Sequence, residues 1–169
     1  ATITILGPAA GNKPLYVLTD PQPTDRHKLR RVAGNTGDFE RINTGATETW
    51  LLDDPAPQVA FTIDDVSIPV LLHARRIPAS SNGLRTITAQ LFYDDGGRTA
   101  IGGSVDMIVN LKTAIVPLAG TIDPGGVHNI PAGATIELDI TLTSGEPIRL
   151  YETSTGILTA GSDVYIRAT

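Results

Sequence analysis

A strict alternation of apolar and polar residues marks the stretch from Ile130 to Thr143, IPAGATIELDITLT. Beyond the turn at 131–133, every second side chain is apolar and the side chains between them are Thr, Glu or Asp. The apolar positions are Ala134, Ile136, Leu138, Ile140 and Leu142. Side chains of a strand point alternately to opposite faces, so this period predicts a β-strand with one face on a core and the other in solvent. A turn signal at 144–147 predicts a hairpin with the alternating segment 148–151.

The same alternation recurs along the chain between turns rich in Gly and Pro. Residues 84–93 alternate, the turn Asp94-Asp95-Gly96-Gly97 follows, and residues 105–111 alternate again. A Gly- and Asn-rich turn also predicts a hairpin between 29–32 and 39–42. We count roughly ten strands spaced about 8–15 residues apart, and no window has the apolar period of a helix. The chain is therefore predicted to be all-β, with an antiparallel β-sandwich or jelly-roll-like domain.

The first residues are predicted to form an extended N-terminal arm, residues 1–13, ahead of a single β-sandwich domain, residues 14–169. Ile3 and Ile5 project to one face of a short β-like run and Leu6 projects to the other, before a connector of small residues. We expect this run to add a strand to the sheet of a neighbouring subunit. The alternative is that it forms the first strand of its own sheet.

Composition narrows the classes of partner. The 169 residues carry a formal charge of -5 and no cysteine, which excludes disulfides and thiolate metal sites and argues against binding a nucleic-acid backbone. No apolar run approaches the ~18 residues of a membrane span. The one dense basic cluster, residues 26–31, is interpreted as an edge strand protected by charge. Phosphates, lipid headgroups or an acidic protein surface are alternative contacts for that cluster.

Motifs for catalysis and cofactor binding are missing from the sequence. Neither a G-x-S-x-G nucleophile motif nor a phosphate-binding glycine loop occurs, so no catalytic residue and no cofactor are predicted. The histidines are isolated from one another: His27, His73 and His128. Acidic pairs at 53–54, 64–65 and 94–95 could supply oxygen ligands for calcium, but turns favour Asp at all three places. No metal site is predicted.

One pair of carboxylates has a spacing of chemical interest. Glu137 and Asp139 share a strand face and stand ~6–7 Å apart, within the range of the acid pair of a glycosidase. A solvated strand face also carries acidic residues at i and i+2. The sequence places no aromatic residue beside the pair, so we interpret it as a solvated face.

The last two predicted strands carry a candidate interaction surface. If Ile148, Leu150, Val164 and Ile166 point inward, the residues between them point outward. Those outward residues are Arg149, Tyr151, Tyr165 and Arg167. Tyr and Arg are enriched at protein interfaces, so these four residues and the arm residues Ile3, Ile5 and Leu6 are the predicted partner contacts. The alternative is that the four face the second sheet inside the sandwich.

These observations predict a structural or binding protein and not an enzyme. Our leading hypothesis is a self-assembling bacteriophage virion component, a capsid decoration, cement or tail protein that forms a homo-oligomer and contacts a capsid or other assembly protein. One alternative is a secreted surface or filament subunit joined by strand donation, located outside the cell. The other is a carbohydrate-binding module or β-sandwich hydrolase.

Overall fold

A computed structural model describes residues 11–21, 27–30, 39–52, 60–65, 67–77, 83–111, 114–151 and 163–168, with the backbone alone in 11–21, 27–30 and 163–168 and at Leu52. Every regular element in these ranges is a strand, so they hold no helix that could cross a bilayer. The strands are β1 (Gly11–Pro21), β2 (His27–Arg30), β3 (Phe39–Ile42), β4 (Thr47–Leu52), β5 (Phe61–Ile63), β6 (Ile68–Arg76), β7 (Leu84–Asp94), β8 (Arg98–Asn110), β9 (Val116–Ile122), β10 (His128–Ile130), β11 (Thr135–Ser144), β12 (Ile148–Tyr151) and β13 (Asp163–Ala168). The predicted all-β class is confirmed.

The strand order describes an antiparallel β-sandwich. Hydrogen-bonded neighbours follow the order β3-β12-β6-β13-β1-β2-β4-β11-β7-β8, while β9 pairs with β6 and β10 pairs with β5. Among these pairings only that of β2 with β4 is parallel. The sheet folds back so that β9 meets β8, where a Cβ built on Gly120 would lie 3.0 Å from side-chain carbons of Val105 and Met107. Two layers therefore enclose one core.

The core is formed by the inward-facing side chains of both layers. The largest fully buried side chains are aliphatic, apart from Trp50 and Arg85. The central contribution comes from β11, β7 and β6, and the buried side chains of these strands are Ile68, Val70, Leu72, Ala74, Ile87, Ala89, Leu91, Ile136, Leu138, Ile140 and Leu142. The alternation read from the sequence thus predicts the buried face of β11 and β7 correctly. The turn predicted at 94–97 is also confirmed, because it joins β7 to β8 as a hairpin with Asp94 opposite Arg98.

The predicted hairpin of β11 with β12 is wrong, because β11 pairs with β4 and β7 whereas β12 pairs with β3 and β6. The loop between them carries the chain to a different part of the sheet. Gly145 lies in this loop with φ +93, and a Cβ on it would lie 2.7 Å from the carbonyl oxygen of Leu84. Arg85 donates to the Glu146 carbonyl, 3.4 Å, and Thr44 to that of Gly145, 2.6 Å. A turn signal predicts that the chain reverses direction, but it does not predict which strand the next segment pairs with.

The predicted hairpin of 29–32 with 39–42 is also wrong. Strand β2 pairs with β1 and β4, and β3 pairs with β12. The pairing of β3 with β12 joins segments distant in sequence, which local turn chemistry does not reveal.

The predicted boundary between arm and domain, after residue 13, falls inside a strand. Strand β1 begins at Gly11, and Gly11, Asn12 and Lys13 pair with Ala168, Arg167 and Ile166 of β13. Backbone groups make this ladder, so small residues suffice. Ile3, Ile5 and Leu6 lie outside the described residues. The C-terminal strand pairs with β1 and β6.

Candidate functional site

Two groups of charged side chains stand out on the faces that point away from the core. We call the first the acid–arginine cluster, formed by Arg98, Glu137 and Asp139. Glu137 and Asp139 lie on the outer face of β11. On the flanking strands, Leu51 and Phe92 stand opposite Glu137.

A single guanidinium joins both carboxylates. Arg98 Nε lies 2.6 Å from Glu137 Oε2, and Arg98 Nη2 donates to Asp139 Oδ1 at 2.9 Å. The Arg98 guanidinium carbon lies 3.9 Å from the centre of the Phe92 ring. Thr49 on β4 donates a further hydrogen bond, 2.7 Å, to Asp139 Oδ1. Since β8 and β11 flank β7, Arg98 reaches across β7 and ties the three strands together.

The charge of Arg98 is fixed by these neighbours. Partial burial pulls its pKa downward, but the hydrogen bonds and charges of Asp139 and Glu137 outweigh this effect and raise the pKa of the guanidinium above its ordinary value. The cation therefore persists throughout the pH range of folded proteins.

The prediction of a solvated acidic face is wrong for Glu137, which is 1% exposed. Large side chains on both neighbouring strands and the overlying Arg98 cover it. Asp139 is more open, with 16% of its side chain exposed. Because both carboxylates are engaged by the same cation, the arrangement is that of a structural ion-pair network rather than a glycosidase acid pair.

The second group, the arginine–aromatic patch, consists of Arg41, Arg75, Arg149, Phe39 and Tyr151 on β3, β12 and β6. Arg149 stands directly opposite Arg41 on one side and Arg75 on the other. Its guanidinium lies 4.4 Å from the centre of the Phe39 ring. Arg75 Nε donates to Tyr151 Oη, and the Phe39 and Tyr151 ring centres are 5.6 Å apart. Three cations and two rings thus form one continuous surface.

The structure sorts the predicted partner contacts into three groups. Arg149 lies on the outer face as predicted, half-buried in the patch. Tyr151 lies on the same face as Arg149, but it is only 5% exposed, because Phe39 and Arg75 of this chain pack against its ring. Tyr165 and Arg167 lie in β13, where their backbones pair with Pro14 and Asn12. That these residues contact a partner stays a prediction.

Sequence reasoning missed Arg98, Arg75, Arg41 and Phe39 as members of these groups. A partial signal was present for Arg98, since the tight turn before it sets the register of β8 on β7. The neighbours in β11 and β12 come from long-range pairing and could not be read locally.

The described residues hold no group of three or more His, Asp or Glu side chains placed to bind a metal ion. His73 is buried in β6, and His128 in β10 hydrogen-bonds through Nε2 to the Pro124 carbonyl, 2.8 Å. The acidic pairs at 64–65 and 94–95 lie in this part of the chain, whereas the pair at 53–54 lies outside it.

Comparison with known proteins gives likeness in fold but not in sequence. No protein-family model and no curated protein sequence matches the chain. Among solved structures, a CocE/NonD family hydrolase from Staphylococcus aureus superimposes with a TM-score of 0.69 at 10% identity, covering 96% of this chain and 37% of that one. An alpha-amino acid ester hydrolase gives 0.68 at 11%, with the same two coverages. An aminopeptidase from a marine sediment Thaumarchaeota archaeon gives 0.62 at 10%, covering 94% and 37%.

These matches correct the functional hypothesis. Almost the whole of this chain superimposes on part of each hydrolase. The chain spans about a third of the length of these hydrolases. The predictions of a virion structural protein and of a protein without an enzymatic role are therefore overturned. A bacteriophage CBA120 tailspike protein also matches, but its TM-score of 0.28 lends the phage hypothesis no support. The functional hypothesis was wrong because alternation and turn spacing specify a β-sandwich but do not specify the protein or assembly that contains it.

Proposed function

We propose that this chain is a β-sandwich domain of a hydrolase that cleaves ester or amide bonds of amino-acid derivatives. The observation that supports the proposal is the near-complete coverage of the chain, 94–96%, by three hydrolases at TM-scores of 0.62–0.69. The substrate class follows from two of them, an alpha-amino acid ester hydrolase and an aminopeptidase. At about 10% identity the likeness is one of fold, so activity is carried over by analogy.

In this proposal the chain is a supporting domain, and the reacting nucleophile belongs to a further part of the enzyme. The matched region is about a third of each hydrolase, which leaves room for such a part. A rigid sandwich tied internally by Arg98 is suited to holding a neighbouring domain in a fixed position. In this proposal the ion pairs of the acid–arginine cluster contribute to that rigidity.

The test is to recover the coding sequence that flanks this chain and to express the chain with and without it. Both proteins are assayed with a p-nitrophenyl ester and a p-nitroanilide of the same α-amino acid. We expect hydrolysis by the longer protein, abolished when the nucleophile found in the flanking sequence is replaced by Ala. Flanking sequence that encodes no hydrolase, together with no turnover of either substrate by either protein, would refute the proposal.

A further inference from the structure

The arginine–aromatic patch brings three cations into line at a cost to the fold. Arg41, Arg149 and Arg75 occupy directly opposed positions on three adjacent strands, where paired Cβ atoms lie ~4.5–5.5 Å apart. Like charges in this position repel one another. The chain has a net charge of -5, yet the arginine–aromatic patch carries three positive charges.

Neutral groups hold the cations in place. Arg41 Nε donates to the Asn43 side chain at 3.0 Å, and Arg149 stacks over the Phe39 ring. Arg75 donates to Tyr151 Oη and also lies 5.8 Å from the centre of that ring. Within the described ranges neither Arg41 nor Arg149 forms an ion pair to a carboxylate. Stacking on Phe39 fixes the plane of the Arg149 guanidinium without neutralising it.

This arrangement suits recognition of carboxylates. A guanidinium stacked on a ring keeps in-plane N–H groups that can hold a carboxylate through two parallel hydrogen bonds. Arg41 is exposed and Phe39 is 40% exposed, so the patch is accessible in the isolated chain. The combination of Arg with Tyr and Phe is the composition of protein interfaces.

We propose that the arginine–aromatic patch docks an acidic polypeptide, with side-chain carboxylates of the partner paired to Arg41 and Arg149. The row of three arginines spans about 10 Å across the strands, because neighbouring strands lie ~4.8 Å apart. An extended acidic segment repeats its side chains on one face every ~6.8 Å, so two carboxylates of one segment fit within this row. This inference is independent of the proposed hydrolase function.

The probe is a fluorescein-labelled peptide with Glu at alternate positions, whose binding to the full chain is followed by fluorescence anisotropy. We expect Arg41→Gln and Arg149→Gln each to weaken binding about fivefold, as expected for loss of one exposed charge pair. Arg149→Lys, which keeps the charge but loses the planar fork, should recover part of the loss. Asn110→Asp is the matched control, because it makes the same change in net charge on β8 without altering the patch, and it should bind the peptide as the unaltered chain does.

Four outcomes would overturn the proposal. The first is absence of peptide binding. The second is an equal loss of binding in Asn110→Asp, which would leave only non-specific electrostatics. The third is a DNA oligonucleotide of equal charge that binds at least as tightly as the peptide. The fourth is self-association of the chain, measured by sedimentation, that Arg149→Gln abolishes, since this would assign the patch to a second copy of the chain. Circular dichroism of each variant confirms that the fold is retained.

Discussion

Arginine has opposite surroundings in the two charged regions of this molecule. In the acid–arginine cluster, one guanidinium meets two carboxylates and lies over a phenyl ring. In the arginine–aromatic patch, three guanidinium groups stand side by side on paired strands and are held by Phe39, Tyr151 and Asn43. The first region has one cation for two anions, whereas the second has no anion paired to Arg41 or Arg149 in the part of the chain that the structure describes.

The partners of a charge, and not the charge itself, separate a structural role from a binding role in this molecule. A buried carboxylate with its cation is complete within the chain, and breaking the pair should cost stability. Exposed cations that repel one another add little to stability. Carboxylates of a binding partner would pair with these cations and remove the repulsion. The two regions should therefore respond in opposite ways to loss of one arginine.

The largest expected effect comes from the core side of β11, directly behind the acid–arginine cluster. Leu138→Asp places a charge among fully buried aliphatic side chains, and we expect the chain to unfold or to lose more than about 4 kcal/mol of its free energy of unfolding. Urea denaturation followed by Trp50 fluorescence measures this change. Leu138→Met is the control and should lose less than about 1.5 kcal/mol. A stable Leu138→Asp variant would show that β11 faces the other way.

The next largest effect is expected from Arg98→Met, which keeps an apolar stem over Phe92 and removes the guanidinium from Glu137. Breaking a buried ion pair costs about 3–5 kcal/mol. We expect about 2–3 kcal/mol here, because the side chain of Arg98 is 34% exposed and water can replace part of the contact. The double variant Arg98→Met with Glu137→Gln should recover part of the loss, since Glu137, the more buried of the two carboxylates, is then replaced by a neutral amide. A single variant within about 0.5 kcal/mol of the unaltered chain would rule out this role for the cluster.

The sequence alone could predict local features of the fold. Alternation identified β11 with its buried Leu138 and Ile140, and the turn at 94–97 identified the hairpin of β7 and β8. It could not predict which strands become neighbours, because a polar turn looks the same whether the chain returns alongside itself or crosses to another strand. The loop containing Gly145 is such a crossing.

The same limit applies to the candidate sites. The pattern correctly placed Glu137 opposite the core face, but it could not show that Leu51 and Phe92 stand on either side or that Arg98 covers it. Burial of a polar face depends on the size of side chains in other strands. Arg149 was identified as an interface candidate by residue type, whereas its row with Arg41 and Arg75 follows from the register of three strands.

A smaller effect is expected from Asp139→Asn. Its Oδ1 accepts hydrogen bonds from Arg98 and Thr49, and an amide keeps the acceptor but loses the charge that strengthens both bonds. Sequence reasoning predicts almost no effect for this substitution, but the structure predicts a loss of about 1 kcal/mol in the free energy of unfolding. The matched control is Asp106→Asn, because Asp106 also accepts from a threonine, Thr88, but forms no ion pair with Arg98. Equal losses in the two variants would mean that the ion pair to Arg98 contributes nothing at this position.

The smallest effect on stability, and the one that separates the two regions most sharply, is expected from Arg149→Gln. Loss of the stacking over Phe39 costs about 0.5–1 kcal/mol, and relief of repulsion from Arg41 and Arg75 offsets it by a similar amount. The net change should lie within about 0.5 kcal/mol. Salt should reveal the two opposing terms, because screening weakens the repulsion in the unaltered chain. Between about 0.05 M and about 0.5 M salt, the stability of Arg149→Gln should fall relative to the unaltered chain, whereas that of Arg98→Met should rise, because its lost interaction is an attraction. Salt dependences of the same sign in the two variants would show that Arg149, like Arg98, is balanced by an anion within its own fold.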